Sequence, residues 1–98
     1  MLYEGEALLD TGFTGAVVLP TRYLPENVPA ESPGRWRMPD GNLVEAPRYR
    51  GLISVGSFPP LPFPVLVTIL GDEPIIGVQV IRNFSVILDH GRRVIVEP

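Results

Sequence analysis

The sequence predicts an all-β fold, and three observations predict it. Twelve prolines and ten glycines are spread along the 98 residues, which leaves little room for a sustained helix. Between them lie short runs rich in Val, Ile, Leu and Tyr, of strand length and strand composition. Two of the breaks, Pro39-Asp40-Gly41 and His90-Gly91, carry the residues that tight hairpin turns require. The length fits one domain over residues 1–98 with a modest core, which assembly into an oligomer would help to stabilise.

Each element follows from its residues. Residues 3–9 read as a strand running into Asp10, and residues 15–19 (Gly-Ala-Val-Val-Leu) as a second, mostly buried strand stopped by Pro20. Residues 20–34 hold Pro20, Pro25, Pro29 and Pro33 and read as an irregular connection with one helical turn over 21–24. Residues 35–38 form a short strand, and Pro39-Asp40-Gly41 suits a type I turn followed by a left-handed glycine. The returning arm is residues 43–55, with Pro47 marking a bulge or an edge. Residues 58–64 carry four prolines and read as an extended link. An apolar strand over 64–70 then closes in Gly71-Asp72-Glu73-Pro74. Ile75-Ile76-Gly77 is a very short apolar segment, residues 78–83 are the one helix candidate, and residues 85–89 and 93–97 form a last hairpin.

Composition excludes several functions. The net charge is −3 and the eight basic residues, all arginine, form no basic face, which argues against nucleic-acid binding. No run is long or apolar enough to cross a membrane, and Met1-Leu2-Tyr3-Glu4 lacks the basic start and apolar centre of a signal peptide. With no cysteine there is no disulfide framework or thiolate chemistry, which fits a cytoplasmic location. A single histidine, His90, cannot by itself make a typical zinc site, and no metal or other cofactor is expected.

The stretch Ala7-Leu8-Leu9-Asp10-Thr11-Gly12 carries the chemistry. An ionisable carboxyl at the end of an apolar strand is costly unless it is paired or used. Two carboxyls about 3 Å apart cannot both ionise, so such a pair shares one proton and titrates as a unit, giving a bell-shaped pH–rate profile. One member then takes a proton from water while the other gives one to a carbonyl oxygen. The chain has a single such motif, so the second carboxylate must come from Asp10 of a twofold-related copy. Gly12 allows close backbone approach to the acid, and Thr11 offers a short hydroxyl that both donates and accepts.

Glu6-Ala7-Leu8-Leu9-Asp10-Thr11-Gly12 resembles the active-site motif of the retroviral-type (retropepsin-like) aspartic proteases, and Ile75-Ile76-Gly77 resembles that family's second signature. The order of segments is also similar: acid motif, loop, hairpin, strand, Ile-Ile-Gly, helix, final strands. Asp10 to Gly15 followed by Val17-Val18-Leu19-Pro20 is similar to small prokaryotic members of the same clan. The resemblance implies a small closed acid-protease barrel with a flap hairpin and one short helix near the C-terminus. It implies a homodimeric endopeptidase acting on peptide or protein substrate. Asp10 would be the catalytic carboxylate, Thr11 would tie the two acid loops together beneath the pair, and Gly12 would line the cleft. Residues 38–43, with Met38, Asp40 and Gly41 at the tip, would be the flap. Leu8, Phe13, Thr14, Val17, Ile75 and Ile76 would contact substrate, and Gly77 would pack behind the acid loop. The sequence departs from the pattern at Phe13, where the family usually has alanine or serine, and a ring there must crowd the pocket or turn away. Gly41 is the one glycine at the flap tip, and the chain begins nine residues before Asp10, without the N-terminal strand that the viral dimer sheet uses.

Other readings stand beside these. Asp40 between Pro and Gly suits turn chemistry, Asp72-Glu73 a solvated turn, and Asp89-His90 a hairpin end. Trp36 touches substrate or partner, or packs on its own domain. Arg35, Arg37, Arg48 and Arg50 are placed to face one another across the hairpin, and the proline link 58–63 is a covered loop or a partner-binding edge. The rival function is a protease-fold module without useful turnover, used for peptide binding or assembly; a third is an accessory domain of a longer protein.

Overall fold

A computed structural model describes residues 3–98; the N-terminal reading at Met1 and Leu2 lies outside the described residues. The fold is mostly β with one short helix, as expected. Six strands form one sheet: β1 (Leu8–Leu9), β2 (Val17–Leu19), β3 (Ser32–Arg37), β4 (Leu43–Gly51), β5 (Val65–Ile69) and β6 (Ile75–Ile76), in the order β1-β6-β2-β5-β4-β3. Helix α1 (Val78–Ile81) follows β6, and β7 (Ser85–Asp89) with β8 (Arg93–Glu97) makes a separate two-stranded sheet. No helix among the described residues is long and apolar enough to cross a membrane.

The six-stranded sheet is open. Its edges are β1, two residues long and bonded only to β6, and β3, bonded only to β4. The ladders therefore do not close the expected barrel among the described residues. The prolines of residues 59–64 supply no amide donors that could extend the sheet there. The link is anchored at two points and otherwise exposed: Leu61 is buried, its N–H donates to Ile53 O at 3.0 Å, and Phe58 stacks on Phe84, while residues 59, 60 and 62–64 face solvent.

The middle of the sheet is fixed by β-branched residues. Val17, Val18 and Leu19 lie parallel to Val67, Thr68 and Ile69, and both strands are flanked on their other sides. Strands paired on both edges and covered on both faces read as unbroken apolar runs, which Val-Val-Leu and Val-Leu-Val-Thr-Ile nearly are. Ile69 is 2% exposed and sits in the core with Ala16, Val17, Leu19, Leu61, Val65 and Val80. Ile69→Ala should lower stability by about 2–5 kcal/mol, read as a lower urea midpoint with an unchanged slope.

Hairpin β3–β4 has the expected tip. Gly41 N–H donates to Met38 O at 2.9 Å and Met38 N–H to Asn42 O at 2.8 Å, with Gly41 at φ 88°. The Asp40 carboxylate accepts from the Asn42 backbone N–H at 2.9 Å, so Asp40 is a turn residue. Alternation from the bonded pair Met38–Asn42 puts Pro33 opposite Pro47 at a non-bonded position, where neither missing donor is needed. The arginines do not face one another, because the register sets Arg35 opposite Glu45 and Arg48 opposite Ser32. Arg35 lies 3.7 Å from Glu45, Arg48 donates to Ser32 Oγ at 2.8 Å, Arg37 donates to Gly41 O, and Arg50 pairs with Glu31. At the last hairpin, His90 (φ 52°) and Gly91 (φ 68°) make the turn, and the Asp89 carboxylate accepts from Arg93 Nε at 2.7 Å.

Candidate active site

β1 delivers the acid. It runs parallel to β6 with Leu8 beside Ile75 and Leu9 beside Ile76, and the Asp10 N–H continues that ladder by donating to Ile76 O at 2.9 Å. The chain then turns sharply: Phe13 N–H donates to Asp10 O, and Gly12 N–H donates to Asp10 Oδ1 at 2.8 Å. One carboxylate oxygen is thus held by its own loop, as in an Asx turn. Oδ2 has no hydrogen-bond partner among the described residues, and the side chain is half-buried.

Gly77 and the start of α1 clamp this loop from behind. The first amides of a helix have no partners within it. Here Gly77 N–H donates to Ala16 O at 2.8 Å, Val78 N–H to Phe13 O at 2.9 Å, and Gln79 N–H to Gly15 O at 3.1 Å. The two sequence signatures, 65 residues apart, are therefore stitched into one unit by backbone hydrogen bonds.

Phe13 packs against the hairpin arm. Its ring lies against Trp36 of β3, with centroids 5.0 Å apart, in a niche that exists because positions 15 and 77 carry no Cβ. Trp36 therefore packs on its own domain and is the one described aromatic contact between the hairpin arm and the acid loop.

No family model, curated protein or solved structure matches the chain.

The structure brings together Asp10, Phe13, Val17, Ile75, Ile76 and Gly77. Leu8, Thr11, Gly12 and Thr14 are solvent-facing around that cluster. Met38, Asp40 and Gly41 lie exposed at the hairpin tip, and no hydrogen bond joins residues 38–42 to the acid loop among the described residues. A wide groove of about 710 Å³ opens beside the cluster. It is lined by Val17, Ile75 and Ile76 from the expected set, and by Tyr49, Leu52 and Ile53, which the sequence did not single out. Residues 49–53 were hidden in the returning arm, where alternation alone does not tell which face is open.

A second feature carried no sequence signal. Trp36 Nε1 and Arg48 Nε are buried with no hydrogen-bond acceptor among the described residues. Both sit beside the α-carbon of Gly34, where a Cβ would lie 3.1 Å from the indole nitrogen and 3.2 Å from Arg48 Nε.

Proposed function

We propose that the chain is a homodimeric aspartic endopeptidase with a retropepsin-like architecture, its active site made from Asp10 of each subunit. The observation that carries this reading is the clamp: a carboxylate at a strand end, one oxygen held at 2.8 Å by Gly12 and the other unpartnered, fixed by the bond from Asp10 N–H to Ile76 O. Catalytic groups need this rigid support more than they need proximity in sequence. A single chain supplies one carboxylate, and the shared-proton chemistry needs two.

In the dimer, one carboxylate removes a proton from water, whose oxygen attacks the peptide carbonyl carbon. The protonated carboxyl of the other gives its proton to the carbonyl oxygen. Collapse of the tetrahedral intermediate breaks the C–N bond as the nitrogen takes up a proton, and the pair returns to its singly protonated state. Extended substrate adds as a strand, with alternate side chains read by pockets. Leu8, Val17, Ile75 and Ile76 favour apolar residues around the cut. The Met38–Gly41 tip closes over the substrate, and Thr11 joins the two acid loops across the axis. The proposed setting is the cytoplasm.

One observation favours the rival reading of a peptide-binding module. The wide groove is lined by Tyr49, Leu52, Ile53, Ile75 and Ile76 but not by Asp10. Digestion of a peptide library separates the two. Cleavage whose rate per chain rises with chain concentration, and which Asp10→Asn removes, supports the endopeptidase. Peptide retention without cleavage at concentrations where the chain is dimeric supports the module.

A further inference from the structure

The proline link between β4 and β5 is a motif that neither the sheet nor the acid loop uses. Residues 57–64 read Ser-Phe-Pro-Pro-Leu-Pro-Phe-Pro, inside a stretch from Gly51 to Gly71 that holds no charged residue. Each proline fixes its own φ and restrains the residue before it to extended backbone. Phe58, Pro59 and Leu61 are restrained in this way. The chain runs without a bend through residues 59–61, between bends at 58 and at 62–63. Such a segment has polyproline II geometry, a left-handed helix with three residues per turn.

That period sorts the side chains onto three edges. Phe58 and Leu61 share one edge, and they are the two anchored residues: Phe58 stacks on Phe84 and Leu61 is buried. Pro59 and Pro62 share the next edge, about 9 Å apart along the axis. Pro60 stands on the third. All three prolines face solvent. The body of the protein grips one edge of a three-edged rod and presents the other two.

The backbone says what kind of partner fits. Strand addition needs a row of amide donors, and the link offers at most that of Phe63. Its prolines have no N–H, Phe58 N–H donates to Val55 O at 3.1 Å, and Leu61 N–H donates to Ile53 O at 3.0 Å. The carbonyl oxygens of residues 59–62 accept no hydrogen bond among the described residues. Free acceptors between rigid apolar rings match an aromatic-lined groove, whose rings pack on the prolines while an indole N–H or phenol O–H donates to a carbonyl. A strongly charged partner surface finds no counterpart in a stretch without charge. Little ordering is left to do on docking, since the prolines and the anchored edge already hold the shape.

We propose that Pro59, Pro60 and Pro62 form a docking ridge for a partner protein domain whose groove is lined by aromatic side chains and reads PxxP segments. The ridge goes beyond the peptidase reading and does not depend on Asp10.

Calorimetric titration of the full chain with a purified SH3 domain and a purified WW domain tests it. At least one should bind with a Kd of about 100 µM or tighter. Pro59→Ala and Pro62→Ala should each weaken that binding about tenfold or more, because each empties one contact in the groove. Both side chains face solvent, so circular dichroism should show these variants folded like the wild-type chain. Pro64→Ala, beyond the bend, should bind like wild type. A free PxxP peptide that fills the domain's groove should displace the chain. The proposal is overturned if neither domain binds at about millimolar concentration. Binding that survives both substitutions, or that the free peptide fails to displace, overturns it as well. So does self-association of the chain that Pro59→Ala abolishes while neither domain binds, since the occupant would then be a second copy. Asp10→Asn should leave each of these results unchanged, so the ridge stands or falls apart from peptide cleavage.

Discussion

Asp10→Asn should fold and dimerise like the wild-type chain and cleave peptides at least about a thousandfold more slowly. The amide has the shape of the carboxyl, and its carbonyl oxygen can still accept the Gly12 N–H that Asp10 Oδ1 accepts at 2.8 Å. The backbone bond from residue 10 to Ile76 O does not involve the side chain. What disappears is the group that can take a proton from water and return one to the substrate. A mixing experiment sharpens the result. At fixed total chain concentration, an equal mixture of wild-type and variant chains that assort at random holds about one quarter wild-type dimers. If the site needs both carboxylates, activity falls to about that quarter; if one carboxylate per dimer suffices, the mixed dimers stay active and about three quarters remains. That second outcome would sink the paired mechanism even if Asp10→Asn alone were inactive. Circular dichroism and sedimentation on the variant check that the loss is chemical and not structural.

What was legible in the sequence was local. Turn chemistry placed both hairpins: Gly41 and His90-Gly91 adopt the positive φ values their turns demand, and the last two strands begin and end where expected. The acid motif and Ile75-Ile76-Gly77 were recognisable as patterns, and the structure sets them side by side. Expected strands shrank where tertiary pairing was lacking. Residues 3–9 contribute only Leu8–Leu9, because β6, their one neighbour, is itself two residues long. β3 instead starts at Ser32 rather than 35, since the proline opposite Pro47 sits where no ladder bond is required. The facing arginines failed for a related reason: cross-strand partners depend on register, which the turn length sets and composition does not. The niche for Phe13 and the buried donors of Trp36 and Arg48 had no sequence signal, because each depends on a glycine meeting a distant side chain.

Those glycine contacts yield the second large expected effect. Gly77→Ala should destabilise the chain by about 2–4 kcal/mol, a large part of a typical small domain's stability. Gly77 is extended, with φ −102°, so the backbone angle itself is open to alanine. The obstacle is space. An added Cβ would meet the carbonyl oxygen of Gly15, the ring of Phe13, and the Phe13 carbonyl oxygen at 2.7 Å. Those two carbonyls accept the Gln79 and Val78 N–H groups, so the methyl can be housed only by prising the acid loop off the helix start. Gly15→Ala is also obstructed, but only by the Phe13 ring, whose nearest atom lies 2.5 Å from the added Cβ. The two sites should therefore respond differently to a second change. Phe13→Ala should recover most of the stability lost in Gly15→Ala, and little of that lost in Gly77→Ala, where the backbone carbonyls remain in the way. Urea denaturation of the three single and two double variants decides the matter. Equal rescue at both positions would mean that the ring alone crowds Gly77, and that the clamp holding Asp10 to Ile76 is looser than its hydrogen bonds indicate.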